Sequence, residues 1–278
     1  MAMINTGDIR LHVQRMPPKS GRPAVATAVL VHGMLTDSLA SYYFTLAPAF
    51  AKSGIDVVTY DLRGHGRSER PNSGYTLDYN LNDLDALLDR LNVTGPVHLV
   101  GNSYGGTVAF SYAVRRPDRV ASLSVIESSP ATPEWAANLG VGMRQWAARM
   151  EKDEAAVLDW ITVHRGHHKA RQAKRAAQLV QATTIVRDVP ASRVLTEDQI
   201  RSVRCPALFI YGGESSLVEQ SAWLESLLPD YRSIVVPGHE HSVLIEAPRA
   251  VGTHVLSLIH EVAKAAALGV SQPGTDAQ

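Results

Sequence analysis

Val97-His98-Leu99-Val100-Gly101-Asn102-Ser103-Tyr104-Gly105-Gly106 is the stretch that decides the fold. An apolar run, Val97 to Val100, leads into G-x-S-x-G at Gly101–Gly105, and a helical stretch, Gly106 to Arg115, follows. G-x-S-x-G alone recurs by chance. Between a strand and a helix it reads as a nucleophile elbow, a turn so tight that small residues must flank the serine, which then projects from the C-terminal end of the strand.

Outward from this turn, short apolar runs alternate with amphipathic stretches. The runs are Ala26 to Val31, Asp56 to Tyr60, Val120 to Ile126, Ala207 to Tyr211 and Ser233 to Val236. Val, Ile and Leu dominate them without polar alternation, as in strands buried on both faces of a mostly parallel sheet. Between them, Leu77, Leu81, Leu84, Leu87, Leu88 and Leu91 repeat at helical spacing. Ile4 to Gln14, with a turn at Thr6-Gly7-Asp8, reads as an antiparallel edge hairpin. The pattern predicts an α/β protein with a mostly parallel central sheet flanked by helices.

The rhythm breaks once. From Pro130 to about Val203 only helical patterns occur: Trp135, Leu139, Met143, Trp146 and Met150, then Ala155 to Val163, then Ala170 to Arg187. We read residues 130–203 as a helical cap inserted between two strands, residues 1–129 and 204–268 as the core, and 269–278, polar and rich in Gly and Pro, as a disordered tail.

Composition narrows the function. The 278 residues are 45% hydrophobic and 19% charged, with 27 cations balancing 27 anions. That balance argues against a nucleic-acid binder, which needs a surplus of cations facing phosphates. Cys205 is the only cysteine, which excludes a disulfide framework and a cysteine-built zinc site. The longest early apolar stretch, Ala24 to Val31, is far shorter than the ~20 residues of a membrane helix. The opening residues lack a basic n-region followed by an apolar h-region, so a cytoplasmic chain without membrane partner is expected. No metal or nucleotide cofactor is implied: there is no P-loop, and Gly101 to Gly106 lacks the dinucleotide fingerprint.

A serine hydroxyl is a weak nucleophile and needs a base. Of eleven histidines, His241 lies in Pro237-Gly238-His239-Glu240-His241, directly after the last apolar run and so at the same sheet edge as the elbow. That position makes it the general base, whereas His239 reads as an ordinary surface or core residue.

Taken together, His32-Gly33, Asp61-Leu62-Arg63-Gly64-His65-Gly66-Arg67-Ser68, the elbow at Ser103, and Gly238 to His241 followed by Glu246-Ala247-Pro248 resemble the α/β-hydrolase fold superfamily in its capped branch. The motifs run in that family's order across roughly residues 4–264. The resemblance implies that the backbone N–H groups of Met34 and Tyr104 form the oxyanion hole, and that Asp61 to Ser68 serves fold and packing. It also exposes a departure. Where the family usually has Gly-x-x-Asp, this chain reads Gly212-Gly213-Glu214-Ser215, so a serine holds the acid position. Two residues can replace it: Glu127, after the run Val120 to Ile126, where some capped relatives place their acid, and Glu214, one residue early with a longer side chain. Glu127 is preferred, because a one-residue shift on an extended loop turns a side chain elsewhere. Either would hold the imidazole in one tautomer. Ser103 in place of an aspartate nucleophile argues against epoxide hydrolase and haloalkane dehalogenase activities.

The expected function is cleavage of a carboxylic ester or thioester through an acyl-enzyme on Ser103. The alternatives are acyl transfer from a carrier protein or coenzyme A thioester to an alcohol or amine, carbon–carbon bond hydrolysis, and a ligand-binding receptor or scaffold with little turnover. The partners are accordingly a small-molecule or carrier-bound acyl substrate. His164 to Arg175 holds five cations and three histidines and no acid. It reads as a solvated helix face, or as a dock for the phosphate of coenzyme A or a phosphopantetheine arm. Trp135, Met143, Trp146, Met150 and Trp160 are expected to pack the cap onto the core.

Overall fold

The computed structural model describes residues 2–19, 21 and 23–270. Eight strands form one sheet: β1 (Ala2–Asn5), β2 (Arg10–Met16), β3 (Ala26–Val31), β4 (Ile55–Tyr60), β5 (Val97–Asn102), β6 (Val120–Ile126), β7 (Ala207–Gly212) and β8 (Tyr231–Val236). Their order is β1-β2-β4-β3-β5-β6-β7-β8. β1 and β2 pair antiparallel, as the hairpin reading expects, and β2 joins β4 antiparallel. From β4 to β8 every pairing is parallel.

The apolar runs become central strands because both of their faces are covered. Val29 and Val31 pack toward the helices Leu77–Arg90 and Tyr104–Arg115, while Ala28 and Leu30 pack toward Ala47–Lys52 and Pro248–Val270. Such alternate burial follows from the two-residue period of a strand. The last helix runs to Val270, two residues beyond the expected core limit; the rest of the expected tail, 271–278, lies outside the described residues.

Strand register aligns the ends that matter. Val31 pairs with Gly101, Asn102 with Ile126, Ile126 with Ile210, and Gly212 with Val236. The C-terminal ends of β3, β5, β6, β7 and β8 therefore lie side by side, at the edge where open α/β sheets bind ligands.

Between β6 and β7 the chain makes the helices Pro133–Lys152, Glu154–Ala182, Ile185–Asp188 and Glu197–Arg201. Thr132 caps the first, its Oγ1 accepting from the Trp135 amide at 3.1 Å. The second was expected as two stretches, 155–163 and 170–187. Two helical stretches are found, separated at Gly166, whose φ of 84° and ψ of 161° are not helical, and the second ends at Ala182 because Thr183 is extended. The segment is tied to the core by polar contacts. The Leu77 amide donates to Ser192 Oγ at 2.9 Å, and the Gly74 amide to Asp188 Oδ2 at 3.1 Å. Trp135 stacks on Tyr104, and Met143 and Met150 are buried. Trp160 departs from expectation: it is 56% exposed and stacks on His164 of its own helix. No helix among the described residues is long and apolar enough to cross a membrane.

Candidate active site

Ser103 sits between β5 and the helix Tyr104–Arg115, which begins two residues earlier than the sequence pattern predicts, directly after the serine. Its φ of 52° is left-handed, a conformation that non-glycine residues adopt at a cost and that clusters at functional sites. The turn is closed by glycines. A Cβ at Gly101 would lie 2.2 Å from the Gly105 carbonyl oxygen, and one at Gly105 would lie 2.1 Å from the Val31 carbonyl oxygen. The elbow is thus pressed against both its own helix and the end of β3.

His241, in the loop after β8, reaches this serine: its Nε2 is 2.9 Å from Ser103 Oγ. Its Nδ1 is 3.2 Å from Glu127 Oε2. Glu127 follows β6 directly, has a φ of 49°, and its side chain is fully buried, whereas that of His241 is 61% exposed. A buried carboxylate requires hydrogen bonds. Glu127 receives them from the Gly212 amide on Oε1 and from the Ser215 hydroxyl on Oε2 at 2.8 Å. Ser215, standing at the usual acid position, therefore donates to the carboxylate that lies beside His241. Glu214 is exposed on the surface of the cleft, its amide donating to the His239 carbonyl at 3.0 Å, and it makes no hydrogen bond to His241 among the described residues. The structure brings Ser103, His241 and Glu127 together and leaves Glu214 outside. His239 is turned away, its Nδ1 3.1 Å from Glu246.

Tyr104 opens its helix, so its backbone N–H has no intrahelical acceptor. Its phenol is buried, accepts from Asn80 Nδ2 at 3.2 Å, and is pushed above the ordinary tyrosine range by burial. Met34 lies on the turn after β3. Among the described residues no hydrogen bond engages the Met34 amide. The contacts from Ser215 and Asn80 had no signal in the sequence, since their partners lie far along the chain.

A cleft of about 610 Å³ opens beside His241, lined on the core side by Thr36, Glu214, Glu240 and Glu246 and on the helical side by Trp146, Ile161, Arg165 and Lys169. Ile161 and Arg165 before the break at Gly166, and Lys169 and Ala173 after it, line the cleft from the helical side. All five cations of the basic stretch are exposed; Arg165 and Lys169 line this cleft together with the carboxylates of Glu214, Glu240 and Glu246, and Arg171, Lys174 and Arg175 do not line it.

A family model for the alpha/beta hydrolase fold matches residues 28–158, just under half of the chain, and the chain has the α/β-hydrolase fold. Over 125 residues it is 40% identical to Lipase LipV of Mycobacterium tuberculosis, covering 44% of this chain and 43% of that protein. It is 27% identical to the dihydrolipoyllysine-residue acetyltransferase component of the acetoin cleaving system of Pseudomonas putida, over 84% of this chain and 63% of that protein. The chain therefore spans less than two thirds of either relative. The crystal structure of the enol-lactonase from Burkholderia xenovorans LB400 matches with a TM-score of 0.67 and 21% identity, over 93% of this chain and all of that one, a likeness of fold. The matched relatives carry mostly enzyme names, lipase and esterase among them.

Proposed function

We propose that this protein is a serine hydrolase that cleaves a carboxylic ester or thioester through an acyl-enzyme on Ser103. The observation that carries this reading is the imidazole of His241 bridging the Ser103 hydroxyl and a fully buried carboxylate. Glu127 accepts the Nδ1–H, which leaves the lone pair on Nε2 aimed at Ser103. His241 takes the hydroxyl proton as Oγ attacks the acyl carbonyl. The tetrahedral oxyanion accepts from the Met34 and Tyr104 amides, donors fixed before the charge develops. Collapse expels the alcohol or thiol, which takes the proton from His241. Water then attacks the acyl-enzyme by the same steps in reverse, releasing the acid and restoring Ser103.

A second reading, transfer of the acyl group to an alcohol or amine, is favoured by Arg165 and Lys169 in the neighbouring cleft, which suit the phosphates of a coenzyme A or carrier-bound donor. Both readings are tested by following turnover of a neutral 4-nitrophenyl ester and of the matching coenzyme A thioester, with and without added alcohol or amine. Hydrolysis gives free acid regardless of acceptor; transfer gives the acceptor's ester or amide. If the cations hold phosphate, Arg165→Ala with Lys169→Ala raises KM for the thioester roughly tenfold, a loss of about 1.4 kcal/mol, and leaves KM for the neutral ester nearly unchanged. Equal effects on both substrates would return the basic stretch to a solvated helix face. No turnover of any acyl donor would favour the receptor or scaffold reading.

A further inference from the structure

The loop Asp61 to Ser68, read from the sequence as packing, touches the turn that carries Met34. Leu35, the residue after Met34, has a φ of 61°, left-handed and unfavourable for a leucine, so something must hold it there. Its N–H donates to His65 Nε2 at 2.8 Å. The other ring nitrogen of His65 is 2.8 Å from the Arg63 carbonyl oxygen. A carbonyl only accepts, so Nδ1 carries the hydrogen and Nε2 presents the lone pair that Leu35 needs. On the other side of Met34, the Gly33 N–H donates to Asp37 Oδ2 at 2.7 Å. The amides before and after Met34 are both engaged, and that of Met34 between them is left free among the described residues. The turn also runs against the nucleophile: a Cβ at Gly33 would lie 3.2 Å from Ser103 Cβ.

We propose that His65 is a positioning residue for catalysis, fixing the turn Gly33–Asp37 so that the Met34 amide points at the oxyanion; this rests on the acyl-enzyme reading of Ser103. The imidazole is suited to the task. It is 4% exposed, and its backbone anchor belongs to Arg63, whose buried guanidinium meets both oxygens of Asp83 at 2.8 Å and Asp8 at 2.9 Å. Burial first, and then the neighbouring His32, push its pKa down to about 4, so the ring stays neutral and accepting in ordinary buffers. His32 completes the platform, meeting the His65 ring edge-on at 5.5 Å and accepting the Leu62 N–H at 2.9 Å. A donor held in place by a hydrogen bond to its neighbour contributes to the transition state more than to substrate binding, because the charge it meets appears only there.

The test compares wild type, His65→Leu and His65→Gln in kcat and KM for a 4-nitrophenyl ester. It adds Ki for a trifluoromethyl ketone, whose hemiketal on Ser103 mimics the oxyanion. His65→Leu is expected to lower kcat about 10- to 100-fold, less than outright loss of an oxyanion donor, with KM within about threefold and Ki rising in parallel with the fall in kcat. His65→Gln, which keeps an acceptor, restores most of the loss. Because a core substitution can unfold the protein, a second variant replaces the Leu35 amide by an ester, removing that one N–H and leaving His65 in place; it should reproduce the His65→Leu effect. Hydrogen exchange at the Leu35 amide, slow in wild type and fast in His65→Leu, reads the contact without any substrate. The proposal is overturned if kcat and Ki stay within twofold in the ester variant, or if Leu35 exchange is the same with and without His65. A wild type that turns over no ester refutes the acyl-enzyme reading instead, and Leu35 exchange then still decides whether His65 holds the turn.

Discussion

Ser103→Ala is expected to cut ester turnover by about 10⁶-fold, to the level that binding and oxyanion stabilisation alone supply. The hydroxyl is the atom to which His241 Nε2 is hydrogen-bonded, at 2.9 Å, and without it no acyl-enzyme forms. The rest of the site survives the change. Alanine bears the left-handed φ of 52° at much the same cost as serine, and the amides of Met34 and Tyr104 keep their places. Stability should therefore move by only a few tenths of a kcal/mol, within the range of surface substitutions. Thermal unfolding measured beside steady-state kinetics separates loss of chemistry from loss of fold. A variant that retains more than a few per cent of wild-type kcat would place the nucleophile elsewhere.

Glu127→Gln is expected to lower kcat by about 10⁴-fold, with Glu214→Gln within twofold of wild type. Glutamine fills the same space, so the effect is electronic. The carboxylate accepts from the Gly212 amide, the Ser215 hydroxyl and His241 Nδ1. If the amide oxygen keeps Gly212, its NH₂ group faces the serine and the histidine. A donor opposite Nδ1 favours the imidazole tautomer with its hydrogen on Nε2, which cannot take a proton from Ser103. The charge that would stabilise the imidazolium is lost as well. Kinetics of the two variants on one ester decide the matter: a large loss in Glu214→Gln with an active Glu127→Gln would move the acid to the loop after β7.

The elbow and the sheet were legible because their signals are local. Glycines at 101 and 105 are required by contacts at 2.2 and 2.1 Å, and a glycine pattern can be read without knowing what it touches. The contact of His241 with Ser103 followed from its place after the last strand. The carboxylate beside His241 was legible only as a pair of alternatives, since both Glu127 and Glu214 follow strands that end at the same edge. What separates them is three-dimensional: the left-handed φ of 49° at Glu127 and the donors of Gly212 and Ser215 that fill its burial site. The helical segment between β6 and β7 was legible as helix but not in detail. Nothing in a run of cations tells which of them line a cleft, and the run is split by the non-helical Gly166. Trp160 was expected in the interface on its apolar character, yet it stacks on His164 instead. His65 was hidden for the opposite reason. It sits in a motif whose buried Arg63–Asp83 pair gives it an evident packing role, and only the contact to Leu35 ties it to the reacting centre.

The most direct measurement is the intact mass of the protein after treatment with a fluorophosphonate, beside Ser103→Ala treated in the same way. An activated Ser103 forms a single phosphonyl adduct with loss of fluoride, and the adduct disappears in the variant. A folded wild-type protein that stays unmodified, or a variant that is labelled as readily as wild type, would contradict the assignment of Ser103 as the nucleophile.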